Sequence, residues 1–176
     1  MFKNWWPRMT RDNNVRLRVL MVCMGNICRS PMAEAILRAK LVEAGLARQV
    51  AVDSAGTHGF HRGNAPDPRA ALHAGKRGWP LAGLKSRPVE LEDFSRFDLV
   101  LAMDSDNLDA LKRRCPPDLQ DRLGLMMGYA PQLQRAEVPD PYYGPADGFD
   151  RVLDLLEPAC DGLLIELQRR LALVDG

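Results

Sequence analysis

Apolar and polar positions divide this chain into two kinds of segment that follow each other in turn. Short runs that are rich in apolar residues predict buried strands. They are Leu17–Val22, Gln49–Ser54, Phe97–Met103 and Leu123–Met127. Apolar residues spaced three and four positions apart predict helices between these runs. The predicted helices are Pro31–Ala44, Asp67–Lys76, Val89–Phe94, a helix that opens at Asp104 or Ser105 and ends before Pro116, and Ala146–Leu173.

This alternation of strands and helices predicts an α/β fold. A strand, a helix and a second strand in succession form a right-handed crossover, so the sheet should be parallel. Ligands of such sheets bind at the carboxyl ends of the strands, near the point where the strand order reverses. Cys23 follows the first predicted strand directly, so we expect it to lie in that crevice.

Length and composition place the chain among globular proteins of one domain. It has 176 residues, of which 46% are hydrophobic and 27% charged. The formal net charge of +1 favours neither nucleic acid nor an anionic membrane as the main partner. No apolar run is long enough to span a membrane, so no integral membrane segment is expected. Without a signal-peptide pattern, the cytoplasm is the expected compartment.

The domain is predicted to occupy residues 17–176, after an N-terminal extension over residues 1–16. This extension holds Phe2, Trp5 and Trp6 among scattered basic residues. Two interpretations remain open for it. It forms a loose, flexible tail, or its aromatic side chains dock on this protein, a partner or a membrane surface.

The most informative stretch joins the first strand to the first helix. Cys23 is followed by Met24-Gly25-Asn26-Ile27-Cys28, and then by Arg29, Ser30 and Pro31. Ser30 suits a helix N-cap and Pro31 the first helical position. A loop that enters a helix in this way presents backbone N–H groups and the positive end of the helix dipole to an oxyanion. The same environment favours the thiolate form of a cysteine.

Cys23 and Arg29 together have the residue types that phosphoryl transfer to sulfur requires. The reaction needs a thiolate, donors for three equatorial oxygens and in-line geometry. The planar guanidinium of arginine can bond two phosphate oxygens at once. The alternative is a buried structural cysteine beside a surface arginine, but the position between an apolar strand and a Ser-Pro helix start weakens that alternative.

Cys28 allows three interpretations. It could ligate a metal with Cys23, it could be a small buried hydrophobe, or it could form a reversible disulfide with Cys23 that protects the nucleophile from irreversible oxidation. The disulfide is favoured modestly over the hydrophobe. A metal site is disfavoured because Cys115 and Cys160 are remote in sequence and lack the pairing of ligands.

Asp140 is the candidate proton donor for the leaving group. It stands between two prolines and is followed by Tyr142 and Tyr143. Alone it would be interpreted as a turn residue, but beside a thiolate–phosphate site it becomes the natural general acid and then general base. The two tyrosines could wall an aromatic substrate or pack partly into the core.

The remaining polar candidates receive no catalytic role. His58 and His61 lie in a glycine-rich loop and are expected to be solvated, and His73 is expected to be structural. Asp67 and Arg69 are interpreted as helix-capping and surface residues.

The stretch from Val22 to Glu34 resembles the active-site signature of the low-molecular-weight protein tyrosine phosphatases. Three further segments match in family order: Val52-Asp53-Ser54-Ala55-Gly56, Pro66-Asp67-Pro68-Arg69 and Asp140-Pro141-Tyr142-Tyr143. The resemblance runs from about Leu17 to the C-terminus. It implies a single three-layer domain with a four-stranded parallel sheet, helices on both faces and a phosphate-binding loop after the first strand. It also implies no metal and no cofactor.

The resemblance implies a role for each matching residue. Cys23 would be the nucleophile, Arg29 would bind phosphate, and Asp140 would be the acid and then the base. The phosphate-binding loop would comprise Met24, Gly25, Asn26, Ile27, Cys28 and Ser30, with Ser54 supporting it. Phe60 would line one wall of the cleft, and Tyr142 and Tyr143 the other. The partner would be a tyrosine-phosphorylated protein, with a bacterial tyrosine kinase as one possibility.

Other activities on this fold remain as alternatives. Arsenate-reductase relatives need a further redox pair, and residues 85–96 contain no cysteine. Phosphoarginine phosphatases usually carry threonine where this chain has Ile27. A non-catalytic phosphate-binding module is disfavoured because all three chemical residues are present. Arg77 stands where some members of the family carry a histidine near the loop network.

Overall fold

Within residues 14–175, which the computed structural model describes, four parallel strands form a sheet in the order β2-β1-β3-β4. The strands are β1 (Leu17–Cys23), β2 (Val50–Gly56), β3 (Leu99–Ala102) and β4 (Leu123–Leu125). β2 pairs with one edge of β1, as far as Cys23 opposite Gly56. β3 pairs with the other edge of β1, as far as Val22 opposite Ala102. The strand order therefore reverses at β1, and the crevice of the sheet opens at the end of β1.

Helices connect and cover the strands. They are α1 (Arg29–Glu43), α2 (Pro68–Lys76), α3 (Asp93–Arg96), α4 (Ser105–Arg114) and α5 (Gly148–Val174). Three short 3₁₀ turns lie at Pro117–Arg122, Met126–Tyr129 and Pro131–Leu133. In the part of the chain that the structure describes, no helix is long and apolar enough to cross a membrane.

Successive side chains of β1 pack into two separate cores. Val19 and Met21 belong to the core that includes residues of α1, α2 and α5, whereas Leu20 and Val22 belong to the core that includes residues of α3 and α4. Side chains along a strand point alternately to opposite faces, so a strand that is apolar throughout requires cover on both sides. The predicted three-layer α/β fold is confirmed.

The long helix α5 runs through Pro158 as one element and closes one face of the sheet. At Gly162 it meets the 3₁₀ turn at Met126–Tyr129 so closely that a Cβ would lie 1.8 Å from the carbonyl oxygen of Tyr129. Only glycine permits this approach. The contact ties the chain that follows β4 to α5.

The start of α1 differs from the prediction. The helix begins at Arg29, and Cys28 is its N-cap residue without a side-chain cap bond, so the predicted N-cap role of Ser30 is wrong. Pro31 is consequently the third helical residue rather than the first. The Ser30 hydroxyl is within hydrogen-bond distance of the Cys23 sulfur instead of capping the backbone. Gly45 follows the helix with φ of 74°, in the left-handed conformation that commonly ends helices.

Other boundaries shift for local reasons. The helix predicted at Val89–Phe94 forms only at Asp93–Arg96, because Pro88 makes an isolated parallel bridge to Gly56. β4 ends at Leu125, and Met126 and Met127, the last two residues of the predicted strand, begin a 3₁₀ turn instead. The segment Met1–Asn13, with Phe2, Trp5 and Trp6, lies outside the described residues, so the extension and its boundary stay predictions.

Candidate active site

Hydrogen bonds from neighbouring segments to its carbonyl groups hold the loop between β1 and α1 in place. The carbonyl oxygens of Cys23, Met24 and Ile27 accept backbone hydrogen bonds from Thr57, His58 and Asp67, at 2.9, 3.0 and 2.8 Å. The Gly25 carbonyl accepts one from the Ser86 hydroxyl at 2.9 Å. Because N–H and C=O point in opposite directions across a trans peptide, carbonyls fixed outward turn the N–H side toward the centre of the loop. The loop is thus shaped to surround an oxyanion.

Glycine is required where the end of β2 approaches this loop. A Cβ on Gly56 would lie 2.7 Å from the Met24 carbonyl oxygen and 3.2 Å from the Gly25 carbonyl carbon. Backbone atoms cannot yield as a flexible side chain can, so a larger residue would displace the loop. The segment from Val52 to Gly56 therefore shapes the site in two ways, through the missing side chain of Gly56 and through the hydroxyl of Ser54.

Asn26 connects the loop to its surroundings. Its backbone is in the left-handed region with φ of 55°, a conformation that asparagine tolerates better than most residues. Its amide nitrogen donates to Ser30 Oγ at 2.8 Å and to Ser54 Oγ at 2.9 Å. Its amide oxygen accepts from the backbone N–H of Arg87 at 3.0 Å. These three hydrogen bonds of the Asn26 side chain stabilise the curved backbone of the loop.

The thiol of Cys23 sits at the floor of the loop, and the residue is only 3% exposed. Its Sγ lies 3.0 Å from Ser30 Oγ. Because the Ser30 oxygen already accepts from Asn26, its hydrogen is available to donate to sulfur. A hydroxyl donor stabilises a thiolate, which is the nucleophilic form of cysteine.

Arg29 is buried and charged. Its Nη1 donates to the Asp104 carboxylate at 2.5 Å and to the Val138 carbonyl at 3.0 Å. Burial opposes the charged form of Arg29, but Cys23, Asp104 and Asp140 outweigh that effect and raise the pKa above its usual value. Asp104 also caps α4, with its other oxygen accepting from the N–H of Asn107 at 2.8 Å. The Asp104 carboxylate therefore fixes both the start of α4 and the guanidinium of Arg29.

Asp140 lies beside the outer face of this guanidinium. Its Oδ2 is 3.6 Å from Arg29 Nη2, and its Oδ1 accepts from the N–H of Tyr142 at 3.1 Å. The carboxylate side chain is 42% exposed, so solvent and ligand can reach it. Arg69 supports the same loop by donating to the Tyr142 carbonyl at 3.1 Å. Arg29 and Asp140 are more than a hundred residues apart in the sequence, and the fold brings them together here.

Aromatic side chains stand near the loop and are much more exposed. Tyr142 and Tyr143 make an edge-to-face pair with centroids 4.7 Å apart, and Tyr143 is 94% exposed. Phe60 is 77% exposed and stacks on His58, whose N–H holds the Met24 carbonyl. These rings could contact the part of a ligand that extends out of the loop.

Cys28 differs in character from Cys23. It is buried, and burial, aided by Asp67 and Cys23, raises the pKa of its thiol far above the usual range. Cys28 therefore remains a neutral thiol at physiological pH. Within residues 14–175, no group of three or more His, Cys, Asp or Glu side chains is arranged to hold a metal ion. The disulfide between Cys23 and Cys28 stays a prediction.

Comparison with known proteins gives this arrangement a family. A family model described as low molecular weight phosphotyrosine protein phosphatase matches residues 18–173. The low molecular weight protein-tyrosine-phosphatase of Streptomyces coelicolor is 43% identical over 156 residues, which cover 87% of this chain and 94% of that protein. The human low molecular weight phosphotyrosine protein phosphatase is 37% identical over 148 residues, 83% of this chain and 92% of that protein.

The fold leads to the same family. The crystal structure of the protein tyrosine phosphatase from Entamoeba histolytica with Hepes in the active site superposes with a TM-score of 0.84 at 41% identity. It covers 87% of this chain and 97% of that one. The chain belongs to the low molecular weight phosphotyrosine protein phosphatase family.

For this family member, the structure brings most of the predicted site residues to one end of the sheet. The residues Met24–Ser30 run from the end of β1 into α1, Ser54 bonds Asn26 from β2, and Asp140 reaches Arg29 from the loop before α5. Tyr142 follows Asp140 on the same loop. Phe60 and Tyr143 are largely exposed, and their role as cleft walls stays a prediction.

Several residues of the site escaped the sequence analysis. Asp104 holds Arg29, the Arg87 N–H orients Asn26, and Glu34 accepts from the Ser54 hydroxyl at 2.9 Å. A carboxylate directly after a buried strand was a usable signal for Asp104, because the carboxyl ends of parallel strands meet at one edge. Nothing in the local sequence indicates the partners of Arg87 and Glu34.

Two expectations about polar residues are changed by the structure. Arg77 does not approach the loop network: its guanidinium contacts Asp150, Asp154 and Glu157 on α5. Arg69 is more than a surface residue, since it joins Asp67 to the Tyr142 carbonyl. Asp67 does cap α2, as predicted, by accepting from the N–H of Arg69 at 2.8 Å.

Proposed function

We propose that this protein hydrolyses phosphotyrosine in other proteins, through a phosphocysteine intermediate on Cys23. One observation carries the proposal: the Cys23 sulfur is 3.0 Å from a hydroxyl at the floor of the loop, and the buried Arg29 guanidinium lies 3.6 Å from the exposed Asp140 carboxylate. Nucleophile, phosphate ligand and proton donor are then within reach of a single phosphoryl group. Family membership agrees with this activity.

In the first step, the phosphoryl group lies in the loop with its oxygens bonded by backbone N–H groups and by Arg29. The Cys23 thiolate attacks phosphorus, a sulfur–phosphorus bond forms, and the bond from phosphorus to the tyrosine oxygen breaks. Protonated Asp140 gives its proton to that departing oxygen, so the product leaves as a neutral phenol. Donors fixed before the reaction stabilise the transition-state charge without reorganisation.

In the second step, water replaces the phenol beside Asp140. The carboxylate, now ionised, takes a proton from water, whose oxygen attacks phosphorus and breaks the sulfur–phosphorus bond. Cys23 leaves as a thiolate, which the Ser30 hydroxyl stabilises, and inorganic phosphate is released. Asp140 is protonated again, so protons and charges balance over the two steps.

Arg29 is held in a way that suits both steps. Asp104 and the Val138 carbonyl fix Nη1 from the side of β3. Asp140 lies near Nη2. A guanidinium fixed along one edge can present the rest of its fork to phosphate without losing rotamer freedom on binding.

The substrate is proposed to be a tyrosine-phosphorylated protein, for which a bacterial tyrosine kinase is one candidate. Supporting this choice, Tyr142 and the exposed rings of Phe60 and Tyr143 could contact a phenyl ring that extends from a deeply seated phosphate. Ile27 in the loop agrees with the tyrosine-directed members that the sequence resembles. We place this activity in the cytoplasm, because a free nucleophilic thiol persists in a reducing compartment.

The arsenate-reductase alternative requires further reactive cysteines near Cys23. Cys115 lies in the core on the opposite face of the sheet, with α3 and α4. Cys160 is fully buried on α5, and burial raises the pKa of its thiol far above the usual range. Neither is placed for a thiol relay, so the phosphatase is preferred.

The test is turnover of matched phosphopeptides that carry phosphotyrosine, phosphoserine or phosphoarginine. The wild-type protein should release phosphate from the phosphotyrosine peptide alone, and the Cys23→Ser variant from none. Cys115→Ser is the matched control and should retain full activity. Release of phosphate by the Cys23→Ser variant at a rate near wild type would refute the mechanism. Binding without turnover by the wild type would favour a non-catalytic module.

A further inference from the structure

A chain of hydrogen bonds continues from the active-site sulfur into the protein, past the residues that the mechanism uses. Ser54 Oγ, which accepts from Asn26, itself donates to Glu34 Oε2 at 2.9 Å. The other oxygen of Glu34 pairs with Arg38 one helical turn later, at 2.7 Å. Four side chains, Ser30, Asn26, Ser54 and Glu34, therefore link Cys23 to an ion pair on α1.

The direction of each bond in this chain follows from its neighbours. The Arg87 N–H bonds the Asn26 amide oxygen, so the amide nitrogen must face Ser30 and Ser54 and donate to both. Ser54 thus uses a lone pair toward Asn26, and its hydrogen is directed to Glu34. A carboxylate is an acceptor only, so it keeps that hydrogen away from Asn26.

The carboxyl group of Glu34 is deeply buried, with the residue only 2% exposed. The charges that face it are Arg38 on α1, Asp53 on β2 and Arg87 after α2. Burial raises the pKa of Glu34 to about 7, with Asp53 adding to this, while Arg38, the Ser54 hydroxyl and Arg87 act in the opposite direction. A buried charge of this kind is costly, which calls for a reason beyond packing.

We propose that Glu34 is a positioning residue: its carboxylate holds the Ser54 hydroxyl and, through it, Asn26, so that the Ser30 hydroxyl donates to the Cys23 thiolate. Bonds in a chain polarise one another, and an ionic acceptor at one end strengthens those that follow. Glu34 contacts neither sulfur nor phosphate. It acts at the far end of the chain, where the charge of the paired Arg38 favours its ionised form. This role rests on the thiolate chemistry of the proposed function.

The experiment reads the thiolate directly and needs no turnover. Alkylation of Cys23 by iodoacetamide is followed across pH by mass spectrometry of the Cys23 peptide, for wild type and Glu34→Gln. We expect Glu34→Gln to slow alkylation at pH 8, where the Glu34 carboxyl is mostly ionised, by about 3- to 10-fold, the effect of weakening one hydrogen bond. The midpoint of the alkylation curve should move to higher pH, and kcat/KM at pH 8 should fall in parallel.

Two other outcomes would overturn the proposal. If Glu34 acted only through its negative charge, removing that charge would favour the thiolate and speed alkylation. If Glu34 were merely structural, Glu34→Gln would lower the melting temperature and leave the alkylation midpoint unchanged. Because alkylation does not depend on phosphatase activity, either result is distinguishable from a failure of the proposed function.

A double variant tests whether the effect passes through Ser54. In a Ser54→Ala background, Glu34→Gln should cause no further slowing, because the chain is already broken. Additive effects would contradict the chain. Glu166→Gln is the matched control, since Glu166 also forms an ion pair one turn along its helix, with Arg170 on α5. It should leave the alkylation of Cys23 unchanged, and a shift equal to that of Glu34→Gln would also count against the proposal.

Discussion

The two halves of the candidate site differ in how firmly the protein holds them. The half that would hold phosphate is buried: Cys23, Asn26, Arg29 and Ser30 are all at most 3% exposed. The half that would hold the leaving group is open, with the Asp140 side chain 42% exposed. Hydrogen bonds from β2, the loop after it and α4 converge on the first half, whereas the second half is anchored mainly through Arg69 and the backbone of its own loop.

This difference follows the chemistry that each half would perform. A phosphoryl group is the same in every substrate, so its donors can be fixed in advance and surrounded by core. The remainder of a substrate varies, and exposed loop residues adapt to it. Changes in the buried half should therefore reduce both activity and stability, whereas changes in the open half should reduce activity alone.

After the loss of the nucleophile in Cys23→Ser, the largest effect is expected from Asp140→Asn, in the open half. Without the proton donor, kcat/KM for a phosphotyrosine peptide should fall by about 10²- to 10⁴-fold. The loss should be smaller for p-nitrophenyl phosphate, whose leaving group needs less protonation, and the melting temperature should not change. Equal losses for both substrates would remove Asp140 from the role of general acid.

Arg29→Lys comes next and belongs to the buried half. Lysine cannot maintain the bonds to Asp104 and to the Val138 carbonyl while also bonding two phosphate oxygens. We expect kcat/KM to fall by about 10²- to 10³-fold. The melting temperature should fall as well, as measured by calorimetry. Arg122→Lys, which changes an arginine that bonds carbonyls near α3, should leave activity unaltered. Full stability of Arg29→Lys would contradict the proposed division.

The buried half should also show a dependence of stability on pH. The pKa of Glu34 is raised from 4.5 to about 7 by burial. Between these values the folded protein keeps a proton that the unfolded chain releases, so the free energy of unfolding decreases as pH rises from about 4.5 to 7. The decrease should be about 3 kcal/mol. Urea unfolding across this range should show the slope in wild type and its loss in Glu34→Gln; an unchanged slope in the variant would assign it to other groups.

The smallest effect is expected from Tyr143→Ala, again in the open half. The side chain is 94% exposed, so little folding energy depends on it. We expect a several-fold rise in KM for phosphotyrosine peptides, which corresponds to the loss of the binding free energy of about one aromatic contact. The melting temperature should not change. Leu173→Ala, an exposed apolar residue on α5, serves as the control. If Tyr143→Ala also lowered the melting temperature, the open half would be more firmly anchored than its contacts indicate.

The sequence was sufficient for the parts of the fold that depend on local patterns. β1 is apolar apart from Arg18 because it is covered on both faces, and Asp67 followed by Pro68 is a strong helix start. Ser30 shows where a local rule misleads. A serine before a proline predicts an N-cap, yet the hydroxyl has a partner in the Cys23 sulfur, and the helix begins two residues earlier than predicted, at Arg29.

The rest of the site depends on contacts between distant segments, which no local pattern encodes. Asp104 reaches Arg29 only because β3 lies beside β1. Glu34 meets Ser54 because α1 packs near β2, and the Val89–Phe94 segment loses its first helical turn to the bridge at Pro88. In each case, the strand order decides which polar groups meet. The resemblance to a family implied four parallel strands, and neither it nor the periodicity predicted their order.

The central claim is that Cys23 carries the phosphoryl group between the two steps. The most direct measurement is to mix the protein with a phosphotyrosine peptide, quench the reaction in acid within milliseconds, and locate the phosphate by mass spectrometry. Phosphate should be found on Cys23 in the wild-type protein, should persist longer in Asp140→Asn, and should be absent in Cys23→Ser. Phosphate on another residue, or turnover with no phosphate on the protein at any time, would contradict the account.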